Sequence, residues 1–311
     1  MDKEEPIIQT IGLRRDFKKT RAVDGLDLSI PPGELFGLVG PDGAGKTTAL
    51  RLLAGLLNIT EGEATVLGYD LKDQAESIKP HVGYMAQQFS LYAELSVLEN
   101  LRFFAELFDV TSKEQAERTD QLLEFAGLTE FKDRRADRLS GGMQKKLALA
   151  CTLLHQPPIL LLDEPTTGVD PVSRREFWNI LTDLHIHGTT ILVSTPYMDE
   201  ADRCSRVGLM YAGKLVECDS PKNIRDRLNE DVIEIQTDNW QKAQAALYKL
   251  EGILEVQIYG ESLHLLVDSG KQRLPEVEKA LKEADISCRS IRIVPVRMEE
   301  AFLSLIRRLE A

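Results

Sequence analysis

The sequence predicts an α/β protein with a parallel sheet, followed by a smaller α+β domain. Three observations carry this reading. Apolar runs of strand length recur at 7–13, 26–30, 35–39, 82–85, 159–162, 190–193 and 207–211, with helical patterns between many of them. That alternation is the pattern of a parallel sheet crossed by helices. Beyond residue 231 the order becomes strand (232–236), helix (240–250), strand (256–259), strand (262–267), helix (274–284), strand (287–294), which is ferredoxin-like. The length of 311 residues leaves room for about two domains at ~150 residues each, with a core that needs no metal or disulfide staple.

Each element has a local cause. The first runs lie close together and are joined by short turns such as Pro31-Pro32-Gly33, so they read as a small antiparallel flap. Residues 90–156 carry mostly helical signals and read as a helical subdomain inserted in the α/β domain. Ser96-Val-Leu-Glu99 and Ser112-Lys-Glu-Gln115 both fit capping boxes. Leu98, Leu101, Ala105 and Phe108 recur at helical spacing, and Gly127 sits where a second helix stops. The stretch 219–231 is polar and charged, which places the domain boundary there, dividing 1–225 from 226–311. A last helix carries Phe302, Leu305, Ile306 and Leu309 on one face.

Composition excludes several classes. With 38 basic and 50 acidic residues the net charge is −12. Nothing supplies a basic field for a phosphate backbone, so no nucleic-acid partner is expected. Local anion sites built from backbone N–H groups stay open. Hydrophobic content of 43% with 28% charged residues is that of a folded chain. The most apolar segment ends at Asp163, far short of the ~20 residues that span a bilayer. Met1-Asp2-Lys3-Glu4-Glu5-Pro6 has no apolar signal core behind it. Cys151, Cys204, Cys218 and Cys288 are scattered, which suits a reduced, cytoplasmic thiol set. If the protein acts at a membrane, another chain does the spanning.

Two motifs point to nucleotide chemistry. Gly40-Pro41-Asp42-Gly43-Ala44-Gly45-Lys46-Thr47 matches G-x-x-x-x-G-K-[ST], between an apolar run and a helical run. The glycines let the chain curl so that N–H groups face phosphate oxygens, and the helix N-terminus adds positive potential. Lys46 would reach the β- and γ-phosphates, and the Thr47 hydroxyl would ligate Mg²⁺. Ile159-Leu160-Leu161-Leu162-Asp163-Glu164 is a buried-strand pattern ending in two acids, at the strand edge where ligands collect. Asp163 would hold Mg²⁺ through its water shell, and Glu164 would polarise an attacking water. Alone, such a pair is also what a strand ending in solvated acids looks like.

A third element, Leu139-Ser140-Gly141-Gly142-Met143-Gln144, opens a helical run. Ser140 is a natural N-cap, and the glycines leave N–H groups uncovered. Taken alone this is also simply a capped helix. One ATP needs only one phosphate loop, so a second anion-binding helix end calls for an explanation.

With these elements in this order, residues 1–225 resemble the nucleotide-binding subunits of ABC transporters. The shared elements are the phosphate loop, Gln87 in Tyr84-Met-Ala-Gln87-Gln, the signature at 139–144, Asp163-Glu164, and Gly168-Val169-Asp170-Pro. The resemblance implies a P-loop NTPase fold: a RecA-like core, an antiparallel β flap and a helical subdomain. It implies that two such domains pair head to tail, each signature capping the γ-phosphate held by the other's loop. It places ATP on Gly40, Pro41, Asp42, Gly43, Ala44, Gly45, Lys46, Thr47 and Thr48, with Phe17 stacking on adenine. Lys46, Gln87 and Glu164 are the implied catalytic residues, and Thr47, Gln87 and Asp163 the Mg²⁺ site. Gln87, for which adjacent Gln88 is the alternative, would also touch membrane subunits. Gly168, Val169 and Asp170 match the family's D-loop. The ferredoxin-like tail with Val296-Arg-Met-Glu-Glu-Ala-Phe302 looks like the C-terminal region of ATPases serving ABC-2 type exporters, including drug-efflux systems. Asp42, where Asn is usual, recurs in part of that group.

One departure is chemical. Family members usually carry a histidine in a Ser-Thr-His-Tyr-Met-Asp-Glu-Ala segment, where it contacts the γ-phosphate and orients water. Here the segment reads Ser194-Thr195-Pro196-Tyr197-Met198-Asp199-Glu200-Ala201. Proline can neither bond a phosphate nor relay a proton. Losing such a group costs ~10²–10⁴ in rate. The expectation is a chain that binds ATP, turns it over slowly, and lends its intact signature to a different ATPase subunit in a heterodimer. A homodimer in which Thr195 or Tyr197 substitutes is the alternative. The expected partners are that second subunit and membrane-spanning permease subunits, with the chain peripheral on the cytoplasmic face. A non-hydrolysing regulatory subunit and a soluble ABC-type ATPase outside transport are the competing readings.

Overall fold

The computed structural model describes residues 5–88 and 91–310. The acidic start of the chain, and residue 90, where the helical subdomain was expected to begin, lie outside these. The chain forms two compact units, 1–220 and 221–311.

The first unit begins with β1 (Ile8–Phe17) and β2 (Thr20–Ile30), then β3 (Leu35–Val39) leads through residues 40–45 into α1 (Lys46–Leu53). Strands β4 (Glu61–Val66) and β5 (Tyr69–Asp70) return to the first pair and complete an antiparallel sheet of order β2-β1-β4-β5. This is the flap, one strand pair larger than the sequence reading gave it. After α2 (Ala75–Ile78) and β6 (Val82–Met85) come the helices α3 (Val97–Leu107), α4 (Ser112–Phe125) and α5 (Gly141–Leu153). These three helices share a core of their own, with Val97, Leu101, Ala105, Leu123, Leu147 and Cys151 buried in it.

The chain continues through β7 (Ile159–Asp163), α6 (Pro171–Ile186), β8 (Thr190–Thr195), α7 (Met198–Ala201), β9 (Arg206–Tyr211) and β10 (Lys214–Asp219). The central sheet has the order β10-β9-β3-β8-β7-β6. All its pairings are parallel except β9 with β10. Strands β3, β7 and β8 are buried along their whole length, as expected for strands covered on both faces. Their C-terminal ends place residues 40–45, Glu164 and Pro196 side by side, since β3 pairs with β8 and β8 with β7. This is the edge where open α/β sheets bind ligands.

The second unit comprises α8 (Pro221–Asp226), β11 (Asp231–Thr237), α9 (Trp240–Leu247), β12 (Ile253–Tyr259), β13 (Ser262–Val267), α10 (Gly270–Glu283), β14 (Cys288–Val294) and α11 (Met298–Glu310). Its sheet has the order β12-β13-β11-β14 and is antiparallel throughout, the ferredoxin-like arrangement expected. Ile233, Ile235, Leu263 and Leu265 pack there against Ala243, Leu247, Val277 and Leu281 of α9 and α10.

Two local expectations are corrected. Helix α4 is capped one residue early: Thr111 is the N-cap and Glu114 closes the box. A carboxylate serves the positive helix end better than the Gln115 amide, and the Thr111 hydroxyl and amide hold the Glu114 carboxyl below its usual range. In α11, Phe302 and Ile306 are buried but Leu309 is 61% exposed, so the apolar face ends before the last turn.

Candidate functional site

Residues 42–48 line one cleft of about 400 Å³ together with Thr20, Arg21, Ala22, Gln87 and Glu164. The loop closes tightly because two glycines allow close backbone approach. A Cβ on Gly40 would meet the Met210 carbonyl oxygen at 2.2 Å, and one on Gly45 the Ala22 carbonyl oxygen at 2.2 Å. Gly45, at φ +102°, is the N-cap of α1 and offers no side-chain cap. The N–H groups of that first turn are therefore unshielded, an anion-binding helix end.

The Lys46 side chain is buried. Its ammonium donates to the carbonyls of Gly40 (2.7 Å) and Pro41 (3.0 Å) and lies 3.3 Å from Glu164 Oε1. The Thr47 hydroxyl donates to Asp163 Oδ1 at 2.9 Å, and the Ser194 hydroxyl donates to the same oxygen at 2.8 Å. Asp163 Oδ2 is buried and has no hydrogen-bond partner. An unpaired buried carboxylate oxygen beside a threonine hydroxyl is a hard-oxygen donor set suited to Mg²⁺. Among the described residues no group of three or more His, Cys, Asp and Glu side chains could hold a metal.

Glu164 follows β7 in the left-handed region, at φ +44°. Its N–H donates to the Ser194 carbonyl (3.1 Å) and hydroxyl (3.0 Å). Its Oε2 accepts from Gln87 Nε2 (2.7 Å) and from the Thr167 hydroxyl (3.3 Å). Gln87 thus meets Glu164 directly, while its backbone carbonyl accepts from the Lys145 ammonium at 2.5 Å. Burial holds the Lys145 ammonium below its ordinary range, opposed by the charges of Asp163 and Glu164.

Other expected residues lie elsewhere. Phe17, 40% exposed, is not among the residues lining the cleft, and the Arg15 guanidinium sits 4.6 Å over its ring. Leu139 and Ser140 lead into α5, where the Ser140 hydroxyl accepts from Met143 N–H at 3.3 Å. None of residues 139–144 lines the cleft. The first turn of α5 packs against the start of α6, and a Cβ on Gly142 would meet the Ser173 side chain at 2.5 Å. Val169 and Gly168 precede Asp170, whose carboxylate caps α6 by accepting from the N–H groups of Val172 (3.1 Å) and Ser173 (3.0 Å). The Ser173 bond is the main cause holding the Asp170 carboxyl below its usual range. A larger cleft of about 560 Å³, lined among others by Arg118, Phe125, Asp183 and His187, contains none of the expected site residues.

Pro196 stands just past β8, and its neighbours are committed. The Thr195 hydroxyl donates to Glu200 Oε2 at 2.5 Å and accepts from the Tyr197 N–H at 3.1 Å. The Tyr197 ring lies 4.2 Å beneath the Arg174 guanidinium. Sequence reading missed Ser194, Arg21, Lys145 and Glu200. Ser194 alone had a signal, as the polar residue ending an apolar run beside the acid-bearing strand.

Residues 23–167 match the family model described as ABC transporter. The chain is 43% identical over 227 residues to "Probable multidrug ABC transporter ATP-binding protein YbhF" of Escherichia coli, covering 73% of this chain and 39% of that protein. The chain thus spans well under half the length of that relative. It is 33% identical over 303 residues to "Daunorubicin/doxorubicin resistance ATP-binding protein DrrA" of Streptomyces peucetius, covering 96% of this chain and 92% of that one. Among solved structures, the dimeric ATP-binding cassette MJ0796 bound to ADP and Pi superposes with a TM-score of 0.63 at 27% identity, over 68% of this chain and 98% of that chain.

Proposed function

Since this chain belongs to the ABC transporter family, on its ATP-binding side, we propose that it is the ATP-binding and hydrolysing subunit of an ABC-2 type exporter. Its first unit is the ATPase domain, and its second an accessory domain. The observation that carries the reading is a division of labour. The phosphate loop, Gln87 and Glu164 converge on one cleft, while residues 139–144 are absent from its lining. A second chain is needed to bring a signature to this site, and this chain's signature serves that partner's site.

The roles follow from position. The first turn of α1 and Lys46 bind the polyphosphate, with Lys46 exchanging loop carbonyls for phosphate oxygens. Thr47 and Asp163, joined by Gln87 on the side of Glu164, would hold Mg²⁺, which when bound neutralises phosphate charge. Glu164 orients and deprotonates the attacking water, and Phe17 offers a ring to the adenine. The Ser140 end of α5 closes over the partner's nucleotide. Among the described residues no helix is long and apolar enough to cross a membrane. Membership of the family is what supports permease subunits holding the chain at the cytoplasmic face. The partner ATPase is a non-identical subunit, because Pro196 leaves this chain's own site short of a polar group and the Thr195 hydroxyl is already engaged by Glu200.

Binding of a fluorescent ATP analogue with Mg²⁺ tests the site. Lys46→Met is expected to weaken it about tenfold or more, the value of one hydrogen bond to a charged group. Equal binding by wild type and variant would sink the assignment. Asp42 lines the cleft, where its negative charge would oppose that of a bound polyphosphate. Asp42→Asn is expected to tighten Mg²⁺-free ATP binding about threefold at low salt, and the gain should shrink as salt is added. Fractionation of native membranes tests the transport reading: a chain found wholly in the soluble fraction counts against a permease partner.

A further inference from the structure

Glu200 is 1% exposed, and both of its carboxylate oxygens accept hydrogen bonds. Oε2 accepts from the Thr195 hydroxyl (2.5 Å), and Oε1 accepts from the Thr166 hydroxyl (2.8 Å) and from Arg174 Nε (2.6 Å). Burying a carboxylate is costly unless it is paired and its lone pairs are satisfied. Here three donors meet it, one of them cationic, from three different segments. Thr166 lies in the turn after β7, Thr195 ends β8, and Arg174 belongs to α6, whose N-cap is Asp170.

Each segment leads into the ATP site. Next to Thr166, the Thr167 hydroxyl donates to Glu164 Oε2, and its N–H donates to the Glu164 carbonyl at 3.2 Å. The Thr195 carbonyl accepts from the N–H of Gly40, the first residue of the phosphate loop, at 3.3 Å. Arg174 covers Tyr197 and pairs with Asp199 at 2.9 Å, fixing the turn that contains Pro196. Glu164 itself has a left-handed backbone. Such a conformation persists in a non-glycine residue only where the surroundings over-determine it. The Glu200 carboxylate is the buried tie between the turn that carries this strain and the neighbouring strand.

We infer that Glu200 is a positioning residue for hydrolysis: it holds the Glu164 turn and the 195–197 turn in register with the phosphate loop. The inference rests on the reading of Glu164 as the residue that activates water.

The test compares Glu200→Gln, Glu200→Asp and Thr166→Val with Glu164→Gln, in wild-type and Pro196→His backgrounds, using labelled ATP. Thr166→Val removes a single arm of the network, so it reports even where Glu200→Gln folds poorly. Three quantities are read: ATP bound per chain, ATP affinity, and turnover per bound ATP. A positioning role predicts unchanged stoichiometry, affinity within about threefold, and turnover per bound ATP lower by about 10–100-fold for Glu200→Gln. Thr166→Val is expected to show a smaller loss, and Glu200→Asp a partial recovery relative to Gln. A merely structural role predicts fewer binding-competent chains and a lower Tm with turnover per bound ATP within twofold of wild type, and that outcome overturns the inference. If Glu164→Gln leaves turnover unchanged, the role of Glu164 falls first, and that of Glu200 with it.

Discussion

Glu164→Gln is expected to lower turnover by about 10²–10⁴-fold, the range for loss of a general base, while ATP still binds. The substitution keeps the shape of the side chain and an acceptor for Thr167. It removes the negative charge that faces Lys46 at 3.3 Å and the basicity needed to take a proton from water. On the proposed reading binding survives, because the groups expected to face phosphate are those of residues 42–48 that line the cleft. The variant should therefore accumulate a Mg-ATP-bound dimer, seen as a shift in size-exclusion volume that is reversed by removing nucleotide. Turnover at the wild-type rate would show that another group activates the water.

Pro196→His is expected to raise turnover of the purified chain by about 10²-fold, the lower end of the range for restoring a positioned polar or acid–base group. The structure sharpens this expectation. A neighbouring hydroxyl would be the natural substitute for a missing imidazole, but the Thr195 hydroxyl already donates to Glu200. A wild-type chain that already turns over at an ordinary rate, and gains nothing from histidine, would remove the case for a heterodimer and leave the transporter reading intact. A chain that gains turnover directs the search to a second ATPase subunit.

The central strands were legible because they are buried on both faces and read as unbroken apolar runs. β3 and β6 carry the predicted bounds. β4 was not legible for the opposite reason. Glu61-Gly-Glu-Ala-Thr-Val66 carries two charges and a glycine, and only Ala64 and Val66 are buried. It is a strand because β1 pairs with it, and tertiary pairing of that kind leaves no local signal. β10 was missed likewise, paired to β9 and only half-buried. In the site, the phosphate loop and the two acids were readable because their chemistry demands fixed spacing. Glu200 was not, although it was quoted within its segment. An acid on a four-residue helix ordinarily points to solvent, and only the fold brings Thr166, Thr195 and Arg174 around it. The Arg21 contribution to the cleft was hidden in the same way, because it lies at the start of β2, which only the pairing within the flap positions.

The left-handed backbone at Glu164 has a consequence for anyone altering this chain. At that position the polypeptide alone would favour glycine or asparagine, and the glutamate costs the fold about 1 kcal/mol of backbone strain. If Glu164 activates water as proposed, chemistry and folding ask for different residues at one site. A screen for thermal tolerance alone has a standing incentive to discard the acid, and variants that melt later without it would look like improvements until given ATP. Stabilisation of this protein is best sought in regions such as the exposed end of α11, with residues 163–167 kept out of any library scored on melting temperature.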